Sequence, residues 1–229
     1  MSAEPNTRPR APQQLPPGRH GLTRSYVAAN QMQRMLDAVA TVVSEKGYVA
    51  MSVSDIIGAA GVSRRTFYDK FKSKEDAYLA SFDAISQELL ASVIAAYDQS
   101  TNFVDGVTAC MGVFLELAAA EPRYADMCIV EVLAAGPTAI ARRNAMMKAL
   151  VAVLDEGAKT VPHSLQPPPL TAEIVIGGVY EVVYSRVLAG EATKLPSLLP
   201  DLAYSVMLPY VGREAAERAL AGPRSRSAG

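Results

Sequence analysis

Residues 61–75 gather side chains that bind polyanions. The stretch GVSRRTFYDKFKSKE places two adjacent arginines before Thr66 and Tyr68, and three lysines follow. An arginine presents a planar fork of donors that fits guanine O6 and N7 or a phosphate. A threonine can contact a thymine methyl group or a backbone oxygen, and groups at the groove edge bind phosphate. This combination predicts contact with DNA. The basic groups are Arg64, Arg65, Lys70, Lys72 and Lys74.

The residues before this stretch predict two helices that would support it. Apolar residues from Gln31 onward recur at helical spacing, and Lys46–Gly47 provides a last-turn cation and a residue that tolerates a left-handed cap. Ser52 or Ser54 can cap a short second helix, and Gly61 ends it.

A third helix would carry the basic groups. Ser63 is placed to cap a helix from Arg64 to about Phe71, with Phe67 and Phe71 facing inward at i and i+4. Ser73 is placed to cap a fourth helix. About three residues join the second and third helices, which is the spacing of a helix-turn-helix. On charge alone, the alternative is a solvated basic face on a helical hairpin.

Composition indicates a globular protein with unevenly distributed charge. The chain has 229 residues, is 50% hydrophobic and has a formal net charge of -1. Residues 1–80 hold 11 Lys and Arg against 7 Asp and Glu, a balance of +4, whereas residues 81–229 hold 11 against 16, a balance of -5. This asymmetry favours a polyanion partner for the first part and another task for the rest.

Cysteine usage and hydropathy favour the cytoplasm. Cys110 and Cys128 form no CxxC pair, so we expect neither a disulfide framework nor a sulfur metal site. The start of the chain lacks a secretory hydrophobic region. Charges or helix breakers interrupt every stretch that approaches the roughly 18 apolar residues of a membrane span. We therefore expect a soluble cytoplasmic protein with no membrane partner.

The periodicity beyond residue 74 is helical, which predicts an all-α fold. The predicted helices run from about 74 to 97, 102 to 120, 122 to 135, 138 to 159, 171 to 189 and 197 to 220. The proline-rich start has too few apolar side chains to offset the entropy of ordering, and either an inert tail or an arm that grips DNA fits its composition. The predicted parts are a disordered basic arm at 1–23, a helix-turn-helix DNA-binding domain at 24–73, a larger helical effector-binding and dimerisation domain at 74–221, and a disordered tail at 222–229.

The predicted second domain is rich in residues that could line a pocket. Flexible Met and amphipathic Tyr suit an irregular hydrophobic ligand. Core packing is the alternative role for each of them, and no particular effector is identified. The candidate ligand-binding residues are Phe103, Met111, Phe114, Tyr124, Met127, Met147, Tyr180 and Tyr184.

Residues 51–78, MSVSDIIGAAGVSRRTFYDKFKSKEDAY, resemble the DNA-binding segment of the TetR family of bacterial transcriptional regulators. The resemblance implies a three-helix N-terminal DNA-binding domain and a larger helical domain that binds a small effector. It also implies a homodimer built on the last two helices, where Gly177 and Gly178 would suit a close helix crossing. The implied function is repression at a palindromic operator, with release by a hydrophobic effector and with activation left open.

Carried over position by position, the resemblance implies two groups of DNA contacts. Phosphate contacts fall to Ser52, Ser54, Tyr68 and Lys74. Base or groove contacts fall to Arg64, Arg65 and Thr66, with Ser63 at the start of the recognition helix. Three positions depart from the family pattern and affect the operator sequence and local packing: Ile57, Arg65 and Lys70.

Two other classes of function remain as alternatives. The sequence has no nucleotide loop, zinc spacing, GxSxG elbow or paired catalytic carboxylates, so we expect no metal, no cofactor and no enzyme. A Cys110 or Cys128 nucleophile would need His20 or His163, which lie in the arm and beside a proline run. The other alternative is a helical module whose helix-turn-helix docks a protein. The salt dependence of binding would separate this module from a DNA-binding protein.

Overall fold

The computed structural model describes residues 24–161 and 167–220, and all regular structure within them is helical. The prediction of an all-α fold is thus confirmed. The predicted arm at 1–23, the tail at 222–229 and both histidines lie outside the described residues. The chain divides into two compact units between Phe82 and Asp83.

Four helices form the described part of the first unit. They are α1 (Arg24–Ala50), α2 (Val53–Ala60), α3 (Arg64–Tyr68) and the start of α4 (Lys74–Asp98). Within α1, Gly47 adopts φ 76° and ψ 156°, so the regular helix breaks there and a last turn continues to Ala50. The break occurs where the sequence predicts it, because glycine adopts positive φ without a Cβ clash.

The division lies inside α4, after the boundary predicted at residue 73. Tyr78 and Phe82 near the start of α4 are buried. The ring of Tyr78 meets that of Tyr48 edge-on at 5.0 Å, and the Ser81 hydroxyl donates to the Leu36 carbonyl at 3.0 Å. These contacts join the first turns of α4 to α1. Capping at Ser73 therefore marks the start of a helix and not the end of a compact unit.

The described part of the second unit contains five further α-helices and shorter helical segments. Residues predicted as one helix at 122–135 form three pieces, because a π-turn and a 3₁₀ turn interrupt the α-helical hydrogen bonding. The elements after α4 are α5 (Phe103–Ala120), α6 (Pro122–Ala125), a π-helical segment (Asp126–Val130), a 3₁₀ segment (Glu131–Leu133), α7 (Pro137–Ala158), α8 (Thr171–Leu188), a second 3₁₀ segment (Ala192–Leu198) and α9 (Leu199–Leu220).

Two sets of contacts organise the second unit. The α5 helix packs against α9 and the second 3₁₀ segment, while α8 packs against α7 and the π-helical segment. Leu115, Val183, Leu195 and Met207 are each fully buried in the resulting core. Burying these apolar side chains supplies the main stabilising term for the unit.

Among residues 24–161 and 167–220, two helices are long and apolar enough to cross a membrane, judged by length and composition alone. They are α4, which has an 18-residue window with a mean hydropathy of 1.3, and α5, which has one with a mean hydropathy of 1.6. Charges do interrupt these helices as predicted, for example Asp105 and Glu116 in α5. They do not lower the mean hydropathy below that of a membrane-spanning helix, so the expectation that they exclude such a helix by composition is wrong. The apolar side chains of α5 that are buried in the second unit include Phe103, Val107 and Leu115.

Candidate nucleic-acid interface

The start of α2 is fixed by a reciprocal cap. The Ser52 hydroxyl accepts from the Asp55 backbone N–H at 3.3 Å, and the Asp55 carboxylate accepts from the Ser52 backbone N–H at 3.0 Å. Of the two predicted caps, Ser52 is the one observed. Lys46 donates to the same carboxylate at 2.6 Å. Hydrogen bonds from Lys46 and Ser52 lower the pKa of Asp55 to about 2, because they favour its charged form.

The turn between α2 and α3 is built on Gly61. Its φ of 60° and ψ of 39° lie in the left-handed region, which glycine occupies without steric penalty. The Gly61 N–H donates to the Gly58 carbonyl and the Val62 N–H to the Ile57 carbonyl, both at 3.3 Å. These bonds satisfy carbonyls at the end of α2 and set the direction in which α3 begins.

The start of α3 is capped by Ser63, as its sequence position predicts. The Ser63 hydroxyl accepts from the Thr66 backbone N–H at 3.0 Å and lies 2.8 Å from the Thr66 hydroxyl. Regular α3 ends at Tyr68, three residues earlier than the predicted end at Phe71. The Lys70 N–H donates to the Phe67 carbonyl, and this tighter bond between residues three apart ends the helix. The Phe71 N–H also donates to the Phe67 carbonyl, at 2.9 Å.

The two faces of α3 differ as the pattern predicts. Phe67 is fully buried and Phe71 nearly so, with their ring centroids 5.5 Å apart. Arg64 and Arg65 are exposed, and Tyr68 is 50% exposed. The Arg64 guanidinium carbon lies 5.9 Å from the Tyr68 ring centroid, within range of a cation–π contact. The inward rings therefore anchor a short helix whose cationic side chains face solvent.

The remaining predicted DNA contacts lie near this surface in the chain but differ in exposure. Ser52 and Ser54 are exposed at the start of α2, and Thr66 is half-buried. Ser73 caps α4 as predicted, accepting from the Asp76 N–H at 3.1 Å, while Asp76 accepts from the Lys72 N–H at 2.9 Å. The elements that present the predicted surface are thus locally capped.

Lys74 is held by the protein itself. Its ammonium group donates to the carbonyls of Tyr48, Val49 and Met51 at 3.0, 3.1 and 2.9 Å. It also lies 4.7 Å from the centroid of the Tyr48 ring. A lysine ammonium has three N–H donors, so a phosphate contact would require one of these bonds to open. Lys74 joins the start of α4 to the end of α1, an interaction that sequence spacing does not reveal.

The predicted effector-binding residues are distributed through the second unit. Phe103, Met111 and Met127 are buried in the core. The half-buried positions are Phe114, Tyr124, Met147, Tyr180 and Tyr184. The structure brings Tyr180 and Tyr184 together, with their rings stacked at a centroid distance of 6.3 Å. It also places Phe103 beside Tyr210, with centroids 5.4 Å apart.

A residue that sequence reasoning missed lies beside Tyr180. The Arg143 guanidinium carbon is 3.9 Å from the Tyr180 ring centroid, and the Tyr180 hydroxyl donates to the Ile129 carbonyl at 2.6 Å. Burial raises the pKa of Tyr180, while the nearby positive charge of Arg143 opposes that rise. No local motif could have identified this group, since its members come from α7, α8 and the π-helical segment.

The two thiols have unfavourable surroundings for nucleophilic chemistry. Burial raises the pKa of Cys110 to about 11 and that of Cys128 to about 12. The thiolate is the reactive form, so these environments suppress its formation at neutral pH. Within residues 24–161 and 167–220, His, Cys, Asp and Glu form no group of three or more that could hold a metal ion.

A family model matches part of the first unit. Residues 35–80 match the family model for bacterial regulatory proteins of the tetR family, and this range includes α2, α3 and the caps described above. These residues therefore form the DNA-binding helix-turn-helix segment that characterises the TetR family of bacterial transcription regulators. No curated protein matches the sequence of the chain.

Solved structures share the fold of this chain. The fatty acid degradation regulator FadR from Bacillus halodurans is 21% identical with a TM-score of 0.69, and the match covers 86% of this chain and 97% of that one. FadR from Bacillus subtilis in complex with stearoyl-CoA is 20% identical with a TM-score of 0.68, and the match covers 79% of this chain and 98% of that one. A tetR-family regulator from Rhodococcus RHA1 is 15% identical with a TM-score of 0.66, and the match covers 79% of this chain and 97% of that one. The likeness is one of fold.

Proposed function

We propose that the protein is a cytoplasmic repressor that binds a palindromic operator as a homodimer and is released by a small hydrophobic effector. The observation that carries the proposal is the contrast on α3, where Phe67 is buried and Arg64 and Arg65 are exposed. Such a helix can enter a major groove with its arginine forks directed at base edges or phosphates.

The proposed DNA contacts follow from this placement. Arg64, Arg65 and Thr66 contact bases or the groove wall. Exposed hydroxyl groups bind phosphates and fix the register of the helix on the duplex. The proposed phosphate-binding groups are Ser52, Ser54, Ser63 and Tyr68. Lys74 positions the first turn of α4 through its three carbonyl partners and so supports this surface from within.

Exposed apolar residues on α8 support a homodimer. Ile174 is 68% exposed and Leu188 is 61% exposed, with Val182 between them at 38%. Gly177 and Gly178 lie along the same helix, and an added Cβ at either would meet nothing within 4 Å in the chain. A helix of a second copy can approach closely at such glycines. Two recognition helices about one DNA turn apart then read a palindrome.

An acyl chain is the proposed effector class. The FadR structure from Bacillus subtilis, which has the same fold, contains stearoyl-CoA. In this chain, Phe114, Val175 and Ile176 are partly buried beside the core of the second unit. Side chains of this kind suit a long apolar ligand. An effector that prefers the released form by about 5.5 kcal/mol would shift operator occupancy from 99:1 to 1:99.

The test is selection of bound sequences from random DNA by the purified protein at about 0.15 M salt, near physiological ionic strength. Arg65→Ala is run in parallel, and Lys148→Ala, which removes an exposed cation on α7, serves as the control. We expect a palindrome that Arg65→Ala loses or blurs and Lys148→Ala retains. Equal weak binding by all three proteins, without enrichment, would refute sequence reading by α3.

A protein-docking helix-turn-helix is the competing function. Its binding would show little dependence on salt, whereas DNA binding weakens with a log–log slope of about -0.9 per phosphate contacted. The enzyme alternative is disfavoured by the raised pKa values of Cys110 and Cys128. A single fast-reacting thiol in a modification assay would restore that alternative.

A further inference from the structure

Arg143 occupies a junction of three elements in the second unit. It lies on α7, and its guanidinium group stacks on Tyr180 of α8. The Tyr180 hydroxyl donates to Ile129 in the π-helical segment. Interruptions of this kind in a helix are frequent at functional sites. The arginine is therefore placed where α7, α8 and an irregular segment meet.

The hydrogen-bonding capacity of Arg143 is largely unused. Nη1 donates to the side chain of its neighbour Asn144 at 3.0 Å. Nε is buried without a hydrogen-bond partner, and no carboxylate among residues 24–161 and 167–220 lies within salt-bridge distance of the guanidinium group. Its neighbour Arg142, by contrast, is exposed and pairs with Asp83.

This arrangement is costly for a half-buried cation. Removing a charged group from water is unfavourable unless an opposite charge or hydrogen bonds compensate for it. The Tyr180 ring offers a cation–π contact, which offsets part of that cost. An anion that accepts hydrogen bonds from the guanidinium group would offset the remaining cost of burying the charge. Such charge-assisted hydrogen bonds to a carboxylate or phosphate are strong and frequently bidentate.

The platform under Arg143 is fixed before any ligand binds. Tyr180 is anchored at its hydroxyl by the Ile129 carbonyl, and its ring stacks with Tyr184. A guanidinium group held against a fixed ring loses little further freedom on binding, which favours affinity. The partly buried Val175 and Ile176 precede Tyr180 on α8 and provide apolar surface within the same unit.

We propose that Arg143 is the anion-binding residue of the effector site and that the effector joins an apolar chain to an acidic group. The proposal rests on the acyl effector proposed above and extends it. It names the residue that recognises the effector, and it requires the effector to carry a negative charge. A free fatty acid would supply a carboxylate, and an acyl-CoA would supply phosphates. Arg143 selects both against a neutral molecule with the same chain.

The experiment compares three probes on the full chain by isothermal titration calorimetry, with the anionic probes below their critical micelle concentrations and the neutral alcohol below its solubility limit. The probes are palmitate, palmitoyl-CoA and the neutral 1-hexadecanol. The variants are Arg143→Gln, which removes the charge, and Arg143→Lys, which keeps the charge without the planar fork. Arg142→Gln is the matched control. Far-ultraviolet circular dichroism reports whether each variant is folded.

We expect Arg143→Gln to weaken binding of at least one anionic probe by about tenfold to a hundredfold, the range for a hydrogen bond to a charged group. Hexadecanol binding stays within about twofold, the size of a minor perturbation. Arg143→Lys gives an intermediate loss, and Arg142→Gln binds as the wild type does. A loss confined to palmitate identifies a carboxylate, and a loss confined to palmitoyl-CoA identifies phosphate.

Two results would overturn the inference while leaving the effector class intact. One is an equal loss for charged and neutral probes, which would make Arg143 a structural residue. The other is no loss for any probe that the wild type binds. If the wild type binds none of the three probes, the proposed acyl effector is itself wrong, and the role of Arg143 as its anion-binding residue fails with it.

Discussion

Lys74→Met tests whether the lysine at the start of α4 supports the DNA-binding unit from within. The substitution keeps an apolar stem but removes the ammonium group that three carbonyls accept from. The bonds to Tyr48 and Met51 are partly buried, and the bond to Val49 is exposed to water. The two partly buried carbonyls would lose their hydrogen-bond donor, and water would replace it only in part. We therefore expect the free energy of unfolding to fall by about 2–4 kcal/mol.

The salt dependence of operator binding separates this role from a phosphate contact. A dimer that loses one phosphate contact per protomer has a log–log slope that is shallower by about 1.8. A positioning residue contacts no phosphate, so Lys74→Met should weaken operator binding without changing the slope. The measurements are fluorescence anisotropy with labelled operator between about 50 and 200 mM salt and urea unfolding followed by circular dichroism, since the chain has no tryptophan.

Lys72→Met is the matched control, because Lys72 is exposed and its hydrogen bond to Asp76 uses the backbone N–H and not the side chain. We expect its stability to stay within about 0.5 kcal/mol of the wild type. The reasoning is refuted if Lys74→Met flattens the slope by about 0.9 per protomer and leaves stability unchanged. That result would mean that Lys74 leaves its carbonyl partners to bind phosphate.

Three further predictions concern the caps, the dimer and helix packing. Asp55→Asn should lower the urea midpoint at pH 7 but not near pH 2. The pKa of Asp55 is lowered from 3.8 to about 2, so its carboxylate contributes stability above pH 3.8, and this stability is lost as the pH falls through 2. In sedimentation at micromolar concentration, Ile174→Glu should yield monomers, whereas Leu133→Glu, also exposed, should not. Gly106→Ala should cost about 1–3 kcal/mol by overpacking, because its Cβ would lie 2.5 Å from a Tyr97 ring atom. In a Tyr97→Ala background, the same change should stabilise the helix, as measured by urea unfolding.

The second unit shows the limit of prediction from sequence. Helical periodicity located α5, α7, α8 and α9 to within a few residues. It did not separate pocket from core, because an apolar residue at helical spacing fits both roles. Phe103, for example, packs on Tyr210. Nor did it identify Arg143, whose partner Tyr180 is on another helix.

The sequence by itself determined the helix-turn-helix. Caps and turns depend on atoms within about four residues, so Ser52, Gly61 and Ser63 predicted the starts of α2 and α3 and the turn between them. The tertiary structure decided which side chains meet across the chain. Lys74 reaches carbonyls 23 to 26 residues away, and Tyr180 reaches one 51 residues away. Such partners depend on how whole helices pack, and a local pattern carries no record of that packing.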